Sequence, residues 1–170
     1  MLSVDSTQAE SPTELPVAVV LQREVAVSGR WRVPRWKLLD VVAGEGIAAG
    51  PGEAAERDAA DRVVWGGLSL RLYRDSAESY WYNLVGNTPS LFVVLQQDDD
   101  DALVPVAVTA NYDEAGAHLE GDDTVLSVPM SASIYGWLEK YVRENYRPQP
   151  ARKRTRKPWI EEMQDERGQR

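Results

Sequence analysis

Side chains able to carry out acid–base or nucleophilic chemistry are scarce in this sequence. The chain of 170 residues contains no cysteine and one histidine, His118. The lack of cysteine excludes disulfides, thiolate zinc sites, cysteine-ligated iron–sulfur clusters and cysteine nucleophiles. No paired serine or cysteine motif lies near His118, which is therefore interpreted as a surface histidine. The sequence predicts no catalytic residue.

Two further patterns bear on metal and phosphate binding. Four consecutive aspartates occupy residues 98–101, but they lack the alternating ligand spacing and the glycine of a calcium loop. The glycines at positions 44, 46, 50 and 52 form neither of the phosphate-binding motifs GxGxxG and GxxxxGK[ST]. The aspartates are interpreted as a solvated hairpin tip, and no metal and no cofactor is predicted.

Basic and aromatic residues alternate in one short stretch near the N-terminus. Its members are Trp31, Arg32, Arg35 and Trp36, flanked by Arg30 and Lys37. Such interleaving suits single-stranded nucleic acid or an acidic peptide. Because the whole chain has a net charge of −8, nucleic acid is not expected over its folded surface. Contact with a protein partner is one hypothesis, and the covering of apolar surface by the long basic side chains is the alternative.

The most aromatic stretch is SYWYNL, residues 79–84, which is interpreted as the middle strand of an antiparallel meander over residues 61–97. In a strand Tyr80 and Tyr82 share one face, and Trp81 and Asn83 share the other. Tyr80 and Tyr82 are therefore candidate partner contacts. The alternative is ordinary cross-strand packing, for which strands favour aromatic residues.

The segment after Tyr146 differs in charge from the rest of the chain. It contains eight Lys or Arg and four Asp or Glu, a net charge of +4, and the preceding residues carry −12. The candidate partner contacts in this segment are Arg152, Lys153, Arg154, Arg156, Lys157 and Trp159. Attachment through such charges should weaken with salt. A purely solubilising tail is the alternative.

Hydrophobic patterning predicts a chain of strands followed by one helix. The predicted strands cover residues 16–25, 30–42, 63–73, 79–84, 90–97 and 103–111, with a brief strand at 117–120 after a turn at 112–116. Residues 43–60 are predicted to be a long loop, and residues 122–128 to lead into the helix. Apolar residues at helical spacing predict that helix over residues 131–143. Within it, Trp137→Ala is expected to be among the most damaging changes, at roughly 3–5 kcal/mol.

These elements predict an α+β fold. A mostly antiparallel sheet of six or seven strands, rolled into a barrel or sandwich, is closed by the C-terminal helix, an element order similar to that of pleckstrin-homology-like domains. Residues 1–15 are predicted to be a disordered leader, 16–146 a single β-rich domain and 147–170 a flexible basic tail. No apolar run reaches the roughly 20 residues of a membrane helix, and the sequence predicts no signal peptide. A cytoplasmic protein without membrane insertion is expected.

Several stretches together resemble a known bacterial family. They are LPVAVVLQRE, GRWRVPRWKLLDVV, LRLYRDSAESYWYNL followed by TPSLFVVL, PVAVTANYDEAG, and VPMSASIYGWLEKYVRENYRPQP followed by a basic cluster. The set is similar to the domain of unknown function 3305 from about residue 15 to residue 157. The resemblance implies an accessory role, since members are typically encoded near molybdenum-dependent formate dehydrogenase subunits and their maturation factors.

The resemblance therefore leads to an expected function. The chain is expected to be a non-enzymatic accessory or assembly protein that binds a formate dehydrogenase subunit or maturation factor. A label connecting some members with molybdopterin-guanine dinucleotide synthesis fits poorly, because the chain lacks a glycine-rich nucleotide loop. Two alternatives stay open. One is a small-molecule-binding β-barrel with a pocket around Trp31, Trp65 and Trp81, and the other is an enzyme using carboxylates such as Asp113 and Glu114.

Overall fold

A computed structural model describes residues 13–44, 50–52 and 62–148. The strands of these residues are β1 (Glu14–Ser28), β2 (Trp31–Ala43), β3 (Gly50–Gly52), β4 (Arg62–Arg71), β5 (Ser90–Gln97), β6 (Leu103–Thr109) and β7 (Thr124–Pro129). The helices are α1 (Ala77–Val85), α2 (Tyr112–Glu120) and α3 (Ala132–Asn145), and a 3₁₀ turn (Arg74–Ser76) precedes α1. The longest of these helices has 14 residues, and none in the described part of the chain is long and apolar enough to span a membrane.

The strands form one sheet that nearly closes into a barrel. Their order is β2-β1-β4-β6-β5-β7, and β3 pairs with β4. Neighbouring strands run antiparallel except β4 and β6, which pair in parallel at Leu70 and Val108. The two outer strands, β2 and β7, contact each other. The predicted α+β fold with a mostly antiparallel, barrel-like sheet is therefore confirmed.

The core follows the two strongest apolar patterns of the sequence. In β5 the run LFVVL is buried throughout, as expected for a central strand covered on both faces. Helix α3 buries Ile134, Leu138, Tyr141 and Val142, and its N-cap residue Ser131 accepts a hydrogen bond from the Ile134 amide. The predicted C-terminal helix is confirmed. Its Trp137 is only half-buried, so Trp137→Ala is expected to cost less than truncation of a fully buried residue of α3.

The predicted strand over residues 79–84 is wrong, because this segment belongs to helix α1. The buried positions Ala77, Tyr80 and Leu84 are spaced by three and four residues, which is the period of one helical face. Aromatic residues favour strands mainly because they pack well in sheets, and a helix that buries the same rings overrides that preference. Tyr80 and Tyr82 consequently do not share a face, since Tyr80 is 1 % exposed and Tyr82 is 60 % exposed.

The turn predicted at 112–116 and the strand predicted at 117–120 are also wrong, since both belong to α2. The Asn111 side chain caps this helix by accepting from the Asp113 and Glu114 amides at 2.9 and 3.4 Å. Residues 122–128 were expected to lead into a helix, but most of them belong to β7 (Thr124–Pro129), which pairs with β5. Because α1 and α2 separate the strands, the element order differs from the pleckstrin-homology-like order, in which one helix follows the strands.

The ends of the described chain adjust the predicted boundaries. Strand β1 begins at Glu14, inside the predicted leader, and Glu14 pairs with Arg71 of β4 at 3.3 Å. Part of the predicted loop at 43–60 is β3. The remainder of the predicted leader and most of the predicted tail, residues 1–12 and 149–170, lie outside the described residues.

Helices α1 and α3 meet through two buried tyrosines, and this contact supports a testable prediction. The Tyr80 and Tyr141 rings form an edge-to-face pair with centroids 6.3 Å apart. The Tyr80 hydroxyl accepts from the Tyr73 amide, whereas the buried Tyr141 hydroxyl makes no hydrogen bond to the described part of the chain. Because an unsatisfied buried hydroxyl costs free energy, Tyr141→Phe should leave the free energy of unfolding unchanged or raise it by up to about 1 kcal/mol.

Urea unfolding of both proteins would measure this change, with Tyr80→Phe as the matched control. The control removes a hydroxyl that accepts a hydrogen bond, so it should destabilise the protein by about 0.5–1.5 kcal/mol. Clear destabilisation by Tyr141→Phe would contradict the expectation, because it would mean that the hydroxyl makes a favourable contact.

Candidate protein-interaction surface

The first two strands extend beyond the rest of the sheet. Strand β1 pairs with β4 as far as Gln22 opposite Arg62, but it pairs with β2 as far as Ser28 opposite Trp31. Within the described residues, the outer part of this hairpin has no other strand beside it. We call residues 22–37 the arm. At its turn Gly29 has φ +61°, a left-handed conformation that glycine adopts without steric cost.

Both faces of the arm carry apolar side chains in solvent. Directly opposed residues of an antiparallel pair lie on the same face. The pairing therefore places Trp31, Val33 and Arg35 on one face, and Val25, Val27 and Arg32 on the other. The exposed apolar side chains of the arm are Trp31, Val25, Val27 and Val33. A two-stranded hairpin with both faces open buries little apolar surface of its own, so this exposure does not serve the core.

The arm is basic although the protein is acidic. Residues 22–37 contain five Lys or Arg and one Glu, a net charge of +4, whereas the whole chain carries −8. Lys37 and Glu24 form an ion pair at 3.6 Å with both side chains largely in solvent, which contributes little to stability. Of the other cations of the arm, Arg30 and Arg32 are the sequence neighbours of the exposed Trp31, and Arg35 lies on the same face as Trp31. This chemistry suits an acidic protein surface.

The structure brings together the predicted cluster of Trp31, Arg32, Arg35 and Trp36. The first three are exposed on the arm, and Trp36 is half-buried and packs against the core. Pro34 lies in β2 at the edge of the sheet, where a residue without a backbone N–H is tolerated. The four residues are close in the sequence, and they remain close in the structure because all of them lie in β2, which pairs with β1.

The two predicted contacts at residues 80 and 82 do not lie on the arm. Tyr80 is buried in the core, so its side chain is not available to a partner, which corrects its assignment as a surface contact. Tyr82 is exposed, but on helix α1. The predicted contacts of the basic tail, Arg152, Lys153, Arg154, Arg156, Lys157 and Trp159, lie outside the described residues.

Three tryptophans were predicted to surround a ligand pocket if the protein were a small-molecule-binding barrel. Trp31 is 76 % exposed and lies at the turn of the arm. Trp65 of β4 and Trp81 of α1 instead pack against the core cluster. A side chain that is mostly in solvent does not wall an enclosed cavity, so the three rings do not define one pocket.

His118 and Asp98, whose side chains were weighed for catalysis and metal binding, form hydrogen bonds within the fold. His118 Nδ1 lies 2.8 Å from Asp123 Oδ2, which also accepts from Gln96. The hydrogen bond with His118, and to a smaller extent the one from Gln96, lowers the pKa of the Asp123 carboxyl group. Asp98 Oδ1 accepts from the amides of Asp100 and Ala102 and so closes the acidic turn. Among the described residues, no group of three or more His, Asp or Glu is arranged to hold a metal ion.

Sequence reasoning missed a groove between helices α1 and α2. The groove has a volume of about 640 Å³. The Asn111 side chain lies between the helices, where it accepts from the Ser79 hydroxyl at 2.8 Å and donates to the Ser76 hydroxyl at 3.2 Å. The spacing of Asn111 and Glu114 is that of a helix N-cap followed by an acid three residues later, a signal that predicts the start of α2. No comparable signal in the sequence predicts that α2 packs beside α1.

The geometry defines an α+β domain with a nearly closed sheet and a protruding basic, aromatic hairpin. The chain belongs to the family described as "Protein of unknown function (DUF3305)", whose family model matches residues 16–155. The resemblance drawn from the sequence motifs is thereby confirmed. No curated protein and no solved structure matches the chain.

Proposed function

We propose that this protein is a non-enzymatic accessory or assembly protein of a bacterial molybdenum-dependent formate dehydrogenase system. In this proposal it acts in the cytoplasm and uses the arm to bind a dehydrogenase subunit or a maturation factor. The single observation that carries the binding role is the exposed apolar and basic surface of the arm. The choice of partner rests on the gene neighbourhood that is typical of the family.

The arm has the residue types that dominate protein interfaces. Tryptophan and arginine are enriched among the residues whose removal costs the most binding energy, and both lie on one face as Trp31 and Arg35. Trp31 is 76 % exposed in the free protein, so a partner that covers it removes a large apolar area from water. This burial supplies affinity.

Charge indicates the kind of surface that the arm fits. Five basic side chains within residues 22–37 favour a partner that presents acidic residues. Complementary charge raises the rate of association and excludes partners of like charge. A second copy of the arm carries the same positive charge, which disfavours pairing of two arms. The proposed partner is therefore a different protein with an acidic surface.

The arm can be tested with a double variant that removes its central contacts. Trp31→Ala combined with Arg35→Ala should weaken partner binding by about 30-fold or more, since hot-spot residues contribute about 2 kcal/mol or more. The partner is first identified by affinity capture of the tagged full chain from its host under formate-dehydrogenase-inducing conditions, followed by mass spectrometry. Isothermal titration calorimetry with the purified partner then measures the affinity.

A matched control removes one exposed apolar residue and one exposed arginine elsewhere. Leu119 of α2 and Arg143 of α3 are both exposed, so Leu119→Ala with Arg143→Ala should leave binding nearly unchanged. Both double variants should unfold at nearly the wild-type temperature, because none of the four side chains belongs to the core. If affinity capture recovers no dehydrogenase subunit or maturation factor, the proposed identity of the partner is refuted. If the two double variants bind the partner with equal affinity, the proposed role of the arm is refuted.

A further inference from the structure

The groove between α1 and α2 has an acidic lining, and none of its lining residues belongs to the arm. Asp75, Glu78 and Asp113 contribute carboxylates to its lining, and no Lys or Arg belongs to the lining residues that the structure describes. Asp75 and Glu78 come from the start of α1 and its preceding turn, and Asp113 comes from the first turn of α2. The groove thus gathers negative charge from two separate elements.

Two tyrosines of the same groove are held in place but remain open to solvent. Tyr82 is 60 % exposed and its ring contacts Trp81 at a centroid distance of 5.0 Å. Tyr112 is 68 % exposed and its ring contacts Phe92 at 5.2 Å. An aromatic ring beside carboxylates is a favourable site for a guanidinium or ammonium group, which the ring attracts through its π-electrons. The chemistry of the groove therefore fits a cationic peptide.

The chain leaves helix α3 beside this groove. Tyr146, the residue that follows α3, packs its ring on Trp81 at a centroid distance of 5.5 Å. Trp81 in turn contacts Tyr82 of the groove. A second depression is lined by Tyr146 and Arg147 and shares Asp75 and Glu78 with the groove. The polypeptide after Tyr146 therefore starts at the edge of the acidic groove.

We infer that the basic segment at residues 152–157 of this same chain folds back and binds in the α1–α2 groove. The segment contains Arg152, Lys153, Arg154, Arg156 and Lys157 and no acidic residue. Its first arginine follows Pro148 by four residues, which span at most about 14 Å when fully extended. A tether of this length keeps the segment at a high effective concentration near the groove.

In the bound arrangement the cations of the segment pair with the three carboxylates and lie against the two tyrosine rings. This inference assigns the basic cluster of the tail to an intramolecular site, whereas the arm is the proposed contact for a partner. Such exposed ion pairs weaken when salt screens them. Raising the ionic strength from about 0.01 M to about 1 M shortens the screening length from about 30 Å to about 3 Å, so high salt should release the segment.

The docking can be measured in the isolated full chain with one spin label. Because the sequence has no cysteine, Thr155→Cys provides a single attachment site within the segment and leaves its charges intact. A nitroxide at this position should broaden the amide signals of groove residues such as Ser79 and Tyr112 in ¹⁵N-correlated NMR spectra at low salt. Amides of the arm, such as that of Val27, serve as the internal comparison and should keep their intensity.

Neutral variants on both sides of the contact test its cause. Asp75→Asn, Glu78→Gln and Asp113→Asn together should restore the intensity of the groove signals in the labelled chain. Arg154→Gln with Arg156→Gln should have the same effect without altering the folded domain, which keeps the test valid if the triple variant is poorly folded. High salt should also restore the signals.

The matched control also removes three negative charges, but from residues outside the groove. Asp99→Asn, Asp100→Asn and Glu120→Gln should leave the broadening of the groove signals intact. A mixture of labelled unenriched chain and unlabelled ¹⁵N chain distinguishes the same chain from a second copy as the source of the segment. Absence of broadening, broadening equal in arm and groove, or broadening that persists in the mixture would overturn the inference. None of these outcomes involves the partner, so the proposed function of the arm is tested independently.

Discussion

Leu138→Ala should lower the free energy of unfolding by about 2–5 kcal/mol, as large-to-small changes in protein cores do. Leu138 lies in the middle of α3, is 0 % exposed and belongs to the hydrophobic core cluster. Removal of its branched end leaves a cavity among the surrounding core side chains, which close packing lets collapse only in part. Part of the loss is the transfer of the removed carbons to water, and the rest is the cavity itself.

Chemical denaturation with urea measures this loss as a lower midpoint with an unchanged slope. Lys140→Ala is the control in the same helix, because Lys140 is exposed and alanine has a high helix propensity. It should change stability by no more than about 0.5 kcal/mol. The periodic pattern places Trp137 in the same apolar stripe, but its ring is half-buried, so Trp137→Ala should cost less than Leu138→Ala. A loss below about 1 kcal/mol for Leu138→Ala would contradict the packing of α3 described here.

Asn83→Ala should destabilise the protein by about 2–4 kcal/mol, because it removes three hydrogen bonds at once. The Asn83 amide nitrogen donates to the carbonyls of Ser90 and Ala110, both at 2.8 Å, and its oxygen accepts from the Ser90 amide at 3.0 Å. One side chain thus joins the end of α1 to the start of β5 and to the residue after β6. Alanine would leave backbone groups without these partners.

The comparison with two other asparagine variants makes this prediction specific. Asn83→Asp keeps the acceptor but loses the donor to two carbonyls and places a negative charge beside them, so it should be at least as destabilising as alanine. Asn145→Ala removes one hydrogen bond, to the Tyr141 carbonyl at 2.9 Å, and should cost about 0.5–1.5 kcal/mol. Thermal and urea unfolding of the three variants would rank them. Equal stability of Asn83→Ala and Asn145→Ala would argue against the linking role of Asn83.

The arm shows how much of a candidate site a sequence can determine when its residues pair locally. The sequence predicts two consecutive strands, residues 16–25 and 30–42, with interleaved Trp and Arg residues at the start of the second. In the structure these strands form the β1–β2 hairpin, and Trp31 lies opposite Ser28 across its turn. Two strands joined by two residues need no distant part of the chain to set their register. For this reason the proximity of Trp31, Arg32 and Arg35 could be predicted from the sequence.

Helix α1 shows where local reasoning failed. The stretch SYWYNL has three consecutive aromatic residues, which favour a strand, and it also has apolar residues at the helical spacing of Tyr80 and Leu84. The sequence alone does not choose between the two. In the folded protein the hydroxyl of Tyr80 accepts from the Tyr73 amide, and Asn83 binds β5 and the end of β6. These contacts are available to a helix that packs on α3. Tertiary packing therefore decided the secondary structure of this segment.

The acidic groove was determined entirely at the tertiary level. Glu78 and Asp113 are 35 residues apart in the sequence and become neighbours because α1 and α2 pack side by side. By itself the sequence determined the fold class, the existence of the first two strands, the strand β5 and the helix α3, since each element has a strong local pattern of apolar residues. Only the tertiary structure decided that Tyr80 belongs to the core and that separated carboxylates meet in one groove, because both depend on contacts between distant segments.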